Sequence, residues 1–208
     1  MFITLEGPDG SGKTKQIQPL ADFLTGKGFS VFTAREPGGT SIGDQVRNIL
    51  MNMENTSMRP RTETLLFCSA RAQLVDEVIR PHLDKGEVVL LDRYADSTMA
   101  YQGYGHQNDL TLIKNLLDFA TGGLKPDLTF LLDVDPEVGL RRRQVGGGEW
   151  NRLDAYQLQY HQRVQLGYLK MAAEEPSRWR IIDASQPPDM VKSKIQEALL
   201  LFLSKLSK

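Results

Sequence analysis

Residues 6–14 read EGPDGSGKT, and Gly7 to Thr14 has the form G-x-x-x-x-G-K-T. These types at this spacing suit a polyphosphate. Gly7, Gly10 and Gly12 let the backbone turn tightly and bring its N–H groups close to phosphate oxygens. Pro8, Asp9 and Ser11 fill the variable positions between them. Lys13 would reach the β- and γ-phosphates and the Thr14 hydroxyl would bind Mg²⁺. A helix opening at Lys13 adds its dipole. The bland alternative is a glycine-rich turn that binds nothing. Against it, every fixed position of the motif is filled between a strand-like and a helix-like segment. The ligand expected here is a nucleoside triphosphate.

A second set of residues could hold whatever receives the phosphoryl group. In VVLLDRY, Asp92 and Arg93 stand at the end of an apolar run. Asp92 could hold Mg²⁺ directly or through water, and Arg93 could clamp a phosphate with two hydrogen bonds. Alternatively they are an Asp–Arg surface pair. If a helix starts after Tyr94, Ser97 and Tyr101 share one face one turn apart, with Gln102 adjacent. Hydroxyls, an aromatic ring and an amide suit a nucleobase and sugar, or simply a polar turn. Phe67 and Arg71 stand at i, i+4, where a ring could stack on a base and an Arg could bond its carbonyl. Considered in isolation, the helix favours Phe67 as core and Arg71 as solvated surface. Arg35, in REPGGT (35–40), could meet a second phosphate.

These residues need a scaffold. FITLE (2–6), SVFTA (30–34), EVVLL (87–91), LTFLLDV (128–134) and WRIID (179–183) read as five strands. Helices are expected from Lys13 to about Lys27, after REPGGTS, over 61–83, at both ends of the segment between the third and fourth strands, over about 136–145 and 153–175, and over 188–206. Ser41 with Asp44 three residues on has a capping-box pattern. Strands alternating with helices give an α/β fold with a parallel, doubly wound sheet, whose ligands lie beyond the carboxyl ends of the strands. With 208 residues, one domain over 1–208 is expected. The net charge of −1 argues against a general nucleic-acid binder. No apolar run is long enough for a bilayer span, and no signal segment is apparent, so the location expected is cytoplasmic. One cysteine, Cys68, allows no internal disulfide.

Three function classes remain: a small-molecule kinase, a GTP-dependent switch, and an ATP-driven motor or assembly protein. An N-K-x-D stretch for guanine is missing from the sequence, which weakens the switch. The kinase reading gains from the end-to-end order of EGPDGSGKT, REPGGTSIG, LLFCSARAQLVDEVIRPHL, LDRYADSTMAYQG and DAS. In these motifs the chain resembles bacterial thymidylate kinases with an arginine-bearing lid. The resemblance implies a P-loop nucleoside monophosphate kinase-like fold, a five-stranded parallel sheet flanked by helices, with a mobile lid at about 141–152. It implies transfer of the γ-phosphoryl of ATP to dTMP, with Mg²⁺, in a homodimer. The rival within kinases is a deoxynucleoside kinase, whose neutral hydroxyl acceptor needs a carboxylate base. Arg35 plus Arg93 suit an acceptor that is already anionic.

Residue by residue, the resemblance implies that Phe67 stacks on thymine and Arg71 binds its exocyclic oxygen. Ser97 and Gln102 would contact the base or its surroundings, and Tyr101 would lie under the sugar and disfavour a 2′-hydroxyl. Arg35 and Arg93 would hold the acceptor phosphate. Ala184, Ser185 and Gln186 would pass the adenine of ATP. The variable loop positions carry no cation, so the lid must supply one: Arg141 on adenine, Arg143 or Arg152 on the phosphates. Arg141, Arg142 and Arg143 fan out about 100° apart on a helix, so they cannot all face one ligand. Asp154 stands where the family usually has Glu. Asp9 would be repelled by the phosphates of ATP unless a metal intervenes. Its side chain is therefore expected to cross toward the acceptor, accept from the 3′-hydroxyl of dTMP, and help orient Mg²⁺ or its waters.

Overall fold

The computed structural model describes residues 1–146 and 150–206. Five parallel strands form one sheet in the order β2-β3-β1-β4-β5: β1 Phe2–Glu6, β2 Val31–Arg35, β3 Val88–Asp92, β4 Leu128–Asp133 and β5 Trp179–Asp183. β1 and β3 are buried along their whole length, as strands covered on both faces must be. In the register, Leu5 pairs with Asp92, and Arg35 also pairs with Asp92. The ends of β1, β2 and β3 are thereby level, and the residues that follow them share one edge.

Helices cover both faces. α1 (Lys13–Gly26) and α9 (Pro188–Leu206) flank one side, where Leu20, Leu24, Ile195 and Leu199 pack on Ile3, Leu5, Leu90 and Phe130. On the other side lie α3 (Pro60–Leu74), α6 (Leu110–Thr121) and α8 (Leu158–Glu174). α2 (Ser41–Met51) packs on α3 and carries Leu50 against Phe67. The remaining helices are short: α4 (Arg80–Asp84), α5 (Ala95–Thr98) and α7 (Pro136–Val145).

Three expectations shift. The cap of α2 is Thr40, whose hydroxyl accepts from the Gly43 N–H at 2.9 Å, and not Ser41. Asp44 instead accepts from the Gly39 N–H at 3.1 Å, fixing the Pro/Gly turn. The helix expected over 61–83 is interrupted by a π-helical stretch at Val75–Ile79, and a second such stretch, Met99–Gly105, follows α5. The helix expected from 153 begins at Leu158, because Asn151 accepts from the N–H groups of Leu153 and Asp154 and holds a turn there. Among the described residues no helix is long and apolar enough to cross a membrane.

Candidate active site

A cleft of about 980 Å³ opens at the carboxyl edge of the sheet. Its floor is the loop between β1 and α1. Gly10 has φ 75°, and a Cβ there would come within 2.0 Å of the Gly139 carbonyl oxygen; a Cβ on Gly139 would meet the Asp9 oxygen at 2.3 Å. The crest of the loop and the start of α7 therefore touch backbone to backbone, which only two glycines allow. Lys13 curls over the loop and donates to the carbonyls of Gly7 and Pro8, both at 2.9 Å, and to Ser11 Oγ at 3.1 Å. Burial and the nearby Arg93 push its pKa down to about 8. Thr14, one residue on, donates to Asp92 Oδ2 at 2.5 Å. This pair of hard oxygens at the end of β3 fits Mg²⁺, which takes few protein ligands and keeps its waters.

Arg93 is the centre of the opposite wall. Its φ of 73° is left-handed, an uncommon state for a side-chain-bearing residue. The backbone is held there by Arg93 N–H donating to the Leu5 carbonyl at 3.0 Å and Tyr94 N–H donating to Glu6 Oε1 at 2.7 Å. The guanidinium then meets five acceptors: Gly7 O at 3.2 Å, Ser97 Oγ at 3.0 Å, the Tyr168 hydroxyl at 3.3 Å, the Tyr101 hydroxyl at 3.0 Å and Asp9 Oδ1 at 2.7 Å. Tyr101 in turn donates to Asp9 Oδ2 at 2.7 Å, and its ring lies under Arg93 with 4.9 Å to the centroid. Burial works to raise the Asp9 pKa, but Arg93 and Lys13 outweigh it and hold the carboxylate ionised. Asp9 thus crosses the cleft to the Arg93 side. The alternative of an Asp92–Arg93 surface pair is not what forms, since Arg93 turns to Asp9 and Asp92 to Thr14.

Phe67, Arg71, Thr98 and Gln102 line another part of the cleft. Arg71 is almost wholly buried, contrary to the reading of it as solvated surface. It donates from Nε and Nη2 to Glu36 Oε2, and also to Thr98 Oγ1 and the Tyr94 carbonyl, both at 3.0 Å. Glu36 comes from the loop after β2, where the Glu36–Pro37 peptide bond is cis. Its Oε1 is buried with no partner among the described residues. Gln102, in the π-helical stretch, donates to Glu63 Oε1 at 2.8 Å. Arg35 is exposed at the end of β2 on the same wall.

The third wall is α7 with the segment from Asn151 and the turn after β5. Arg141 is exposed and lines the cleft. Arg142 donates to the carbonyls of Ala184 and Ser185 at 2.7 and 3.0 Å, tying α7 to the turn expected to pass adenine. Gln186 belongs to that turn and bonds Asp183 at 3.0 Å. Arg143 pairs with the buried Asp154 at 2.6 Å and also lines the cleft. Arg152, expected at the phosphates, is placed elsewhere. It is buried and donates to Glu63 Oε2 at 2.6 Å, the Tyr156 hydroxyl at 2.9 Å and the Leu50 carbonyl at 3.1 Å. Glu63 is compensated by four donors there, which outcompete an exposed position beside a phosphate. Residues 147–149 of the expected lid lie outside the described residues.

Three carboxylates that organise these walls were not among the expected site residues. Glu6 carries a signal, being the one charge in an apolar strand just before the phosphate loop. Glu36 and Glu63 carry none, because their partners Arg71 and Arg152 are distant in sequence.

The thymidylate kinase family pattern matches residues 5–195. The chain belongs to the thymidylate kinase family. It is 48% identical to the thymidylate kinase of Roseiflexus castenholzii, covering 99% of this chain and 95% of the relative. It is 50% identical to that of Carboxydothermus hydrogenoformans, covering 91% and 92%. A crystal structure of thymidylate kinase from Ehrlichia chaffeensis superposes with a TM-score of 0.77 at 33% identity, over 96% of this chain and 98% of the other. The five-stranded parallel sheet flanked by helices is therefore the fold of a thymidylate kinase.

Proposed function

We propose that the chain is one P-loop kinase domain over 1–208 that transfers the γ-phosphoryl of ATP to dTMP, giving dTDP and ADP, beneath a lid at about 141–152. The observation that carries this reading is the pairing of a complete phosphate loop with a preset arginine, Arg93, across one cleft. Phosphoryl transfer is mainly positioning and charge stabilisation. The Gly7–Thr14 loop holds the triphosphate, with Lys13 leaving its own carbonyls for the β- and γ-oxygens. Thr14 and Asp92 would hold Mg²⁺, which supplies charge neutralisation between the phosphates when bound. Asp9 is the third carboxylate available to that ion or its waters.

On the acceptor side, Arg93 and Arg35 meet the phosphate of dTMP. Phe67 faces the thymine ring, with Arg71 and Gln102 at its polar edge and Ser97 beneath. Tyr101, fixed by Asp9 and Arg93, lies where a ribose 2′-hydroxyl would collide. Asp9 then accepts from the 3′-hydroxyl. On the donor side, Ala184, Ser185 and Gln186 pass the adenine, Arg141 covers it, and Arg143 supplies the lid cation. Arg152 holds the lid end to Glu63 and serves the phosphates only if that pair opens. Leu65 on α3 and Leu112 and Phe119 on α6 remain exposed apolar side chains, which supports a homodimer. Nucleic acid and membrane are not partners in this reading, and the reaction is placed in the cytoplasm.

One assay tests the reading: ADP formed from ATP with dTMP, with thymidine and with neither. The expected result is turnover with dTMP alone. Equal turnover with thymidine would favour a deoxynucleoside kinase, and acceptor-independent ADP formation an ATPase.

A further inference from the structure

We propose that Glu6 is a positioning residue for Arg93, setting both its backbone and the direction in which its guanidinium grips the acceptor phosphate. The inference rests on the phosphate-gripping role of Arg93 given above. Glu6 ends β1, is fully buried, and is not among the residues that line the cleft. Its two oxygens act separately. Oε1 accepts from the Tyr94 N–H at 2.7 Å and so pins the peptide that follows Arg93 in its left-handed conformation. Oε2 accepts from Ser97 Oγ at 2.6 Å and from the Tyr168 hydroxyl at 2.8 Å.

Those two hydroxyls are also acceptors for Arg93 Nη1, at 3.0 and 3.3 Å. A hydroxyl has one proton. Once Ser97 and Tyr168 have both given theirs to Glu6, only lone pairs face the guanidinium, and Arg93 is drawn to one orientation. Without an acceptor at Oε2, either proton can turn toward Arg93 and oppose it. Ser97 and Tyr168 lie 2.8 Å apart, so they could then donate to each other. Asp9 and Tyr101 hold the other end of the guanidinium, on Nη2. Arg93 is thereby fixed from both ends before any ligand enters, with the left-handed φ of residue 93 as the cost in backbone energy. Asp96, Arg93 and Lys13 are the charged groups near Glu6.

Calorimetric binding of dTMP and of thymidine at a pH above 7, where Glu6 is ionised, separates positioning from mere structure, because thymidine lacks the group Arg93 grips. Glu6→Gln puts a donor where an acceptor stood while keeping the volume. It should weaken dTMP about tenfold or more and thymidine less than twofold. In an Arg93→Ala background the same substitution should change dTMP binding less than twofold, since the gripping group is gone. Tyr168→Phe removes one relay and leaves the ring packed; it should weaken dTMP about threefold and thymidine not at all. This variant decides the matter alone if Glu6→Gln does not fold. Equal losses for dTMP and thymidine, full additivity with Arg93→Ala, or a Tyr168→Phe protein indistinguishable from wild type would overturn the role. Wild-type protein that neither binds dTMP nor phosphorylates it would instead overturn the functional reading on which the role depends.

Discussion

On the wall of the cleft formed by α3 and the segments after β1, β2 and β3, Arg71 and Arg93 are held by carboxylates, while Arg35 is exposed. Arg71 is 1% exposed against Glu36 at 4%, and Arg93 lies on Asp9 with Tyr101, Ser97 and Tyr168 around it. On the wall formed by α7 and the turn after β5, one cation is held by backbone carbonyls, one by the buried Asp154 carboxylate, and one lies at the surface. Arg142 bonds the Ala184 and Ser185 carbonyls, Arg141 is exposed, and Arg143 is 26% exposed beside Asp154. The difference suits the two tasks of the proposed reaction. An acceptor must be placed to within fractions of an ångström, so its wall is preset. The donor side must admit ATP and then surround it, so its cations sit on elements that can shift at small cost.

Mutation should separate the two walls. Lys13→Ala should have the largest effect, a loss of about 10²–10³-fold in turnover, as for removal of a preorganised charge at a transition state. Its thermal midpoint should fall little, because the loop backbone remains; a turnover within tenfold of wild type would contradict the assignment. Arg71→Ala should show the opposite profile. It strands Glu36, whose Oε1 already lacks a partner among the described residues. Breaking such a buried pair costs about 3–5 kcal/mol, on the order of ten degrees in a chain of this size, measurable by calorimetry. Arg143→Ala, on the other wall, should lower kcat about tenfold with dTMP affinity nearly unchanged, and should lower the melting temperature less than Arg71→Ala, because Arg143 is part-exposed and Asp154 keeps the Asn151 N–H as a donor. A melting temperature that drops as far as that of Arg71→Ala would erase the distinction between the walls.

The smallest effect is in the pH dependence of stability. Burial, with Asp96 nearby, raises the Glu6 pKa from 4.5 to about 7. Between those values the folded protein keeps a proton that the unfolded chain has released, so stability falls as pH rises through that window. Glu6→Gln should flatten the slope of the thermal midpoint between pH 4.5 and 7, whatever its absolute value. An unchanged slope would mean that Glu6 is not shifted.

The five strands were legible to within a residue, because long apolar runs between Gly and Pro punctuation leave little choice. The phosphate loop was legible for the same reason that it works, since its glycines serve geometry that no other residue allows. Finer points were not. Thr40 and Ser41 are adjacent hydroxyls, and only the path of the preceding turn selects the cap. A π-helical stretch adds one residue per turn without altering the apolar pattern enough to see. Arg71 looked solvated because its partner arrives from Glu36, 35 residues away across a turned loop. Arg152 looked like a lid cation because nothing in its spacing points to Glu63, 89 residues earlier. Charge pairing between distant segments is a property of the packed chain, and local periodicity does not carry it.

In the proposed reaction the acceptor wall is preset and the donor wall is assembled on binding. Amide hydrogen exchange followed by mass spectrometry tests it directly, since local opening free energies report order segment by segment. With dTMP alone, peptides covering 88–103 should already be protected without ligand and slow by less than about twofold. With dTMP plus a non-hydrolysable ATP analogue, peptides covering 139–146 and 150–157 should slow about tenfold or more. Weak protection at 88–103 that rises sharply with dTMP, together with no change in the peptides at 139–146 and 150–157, would contradict it.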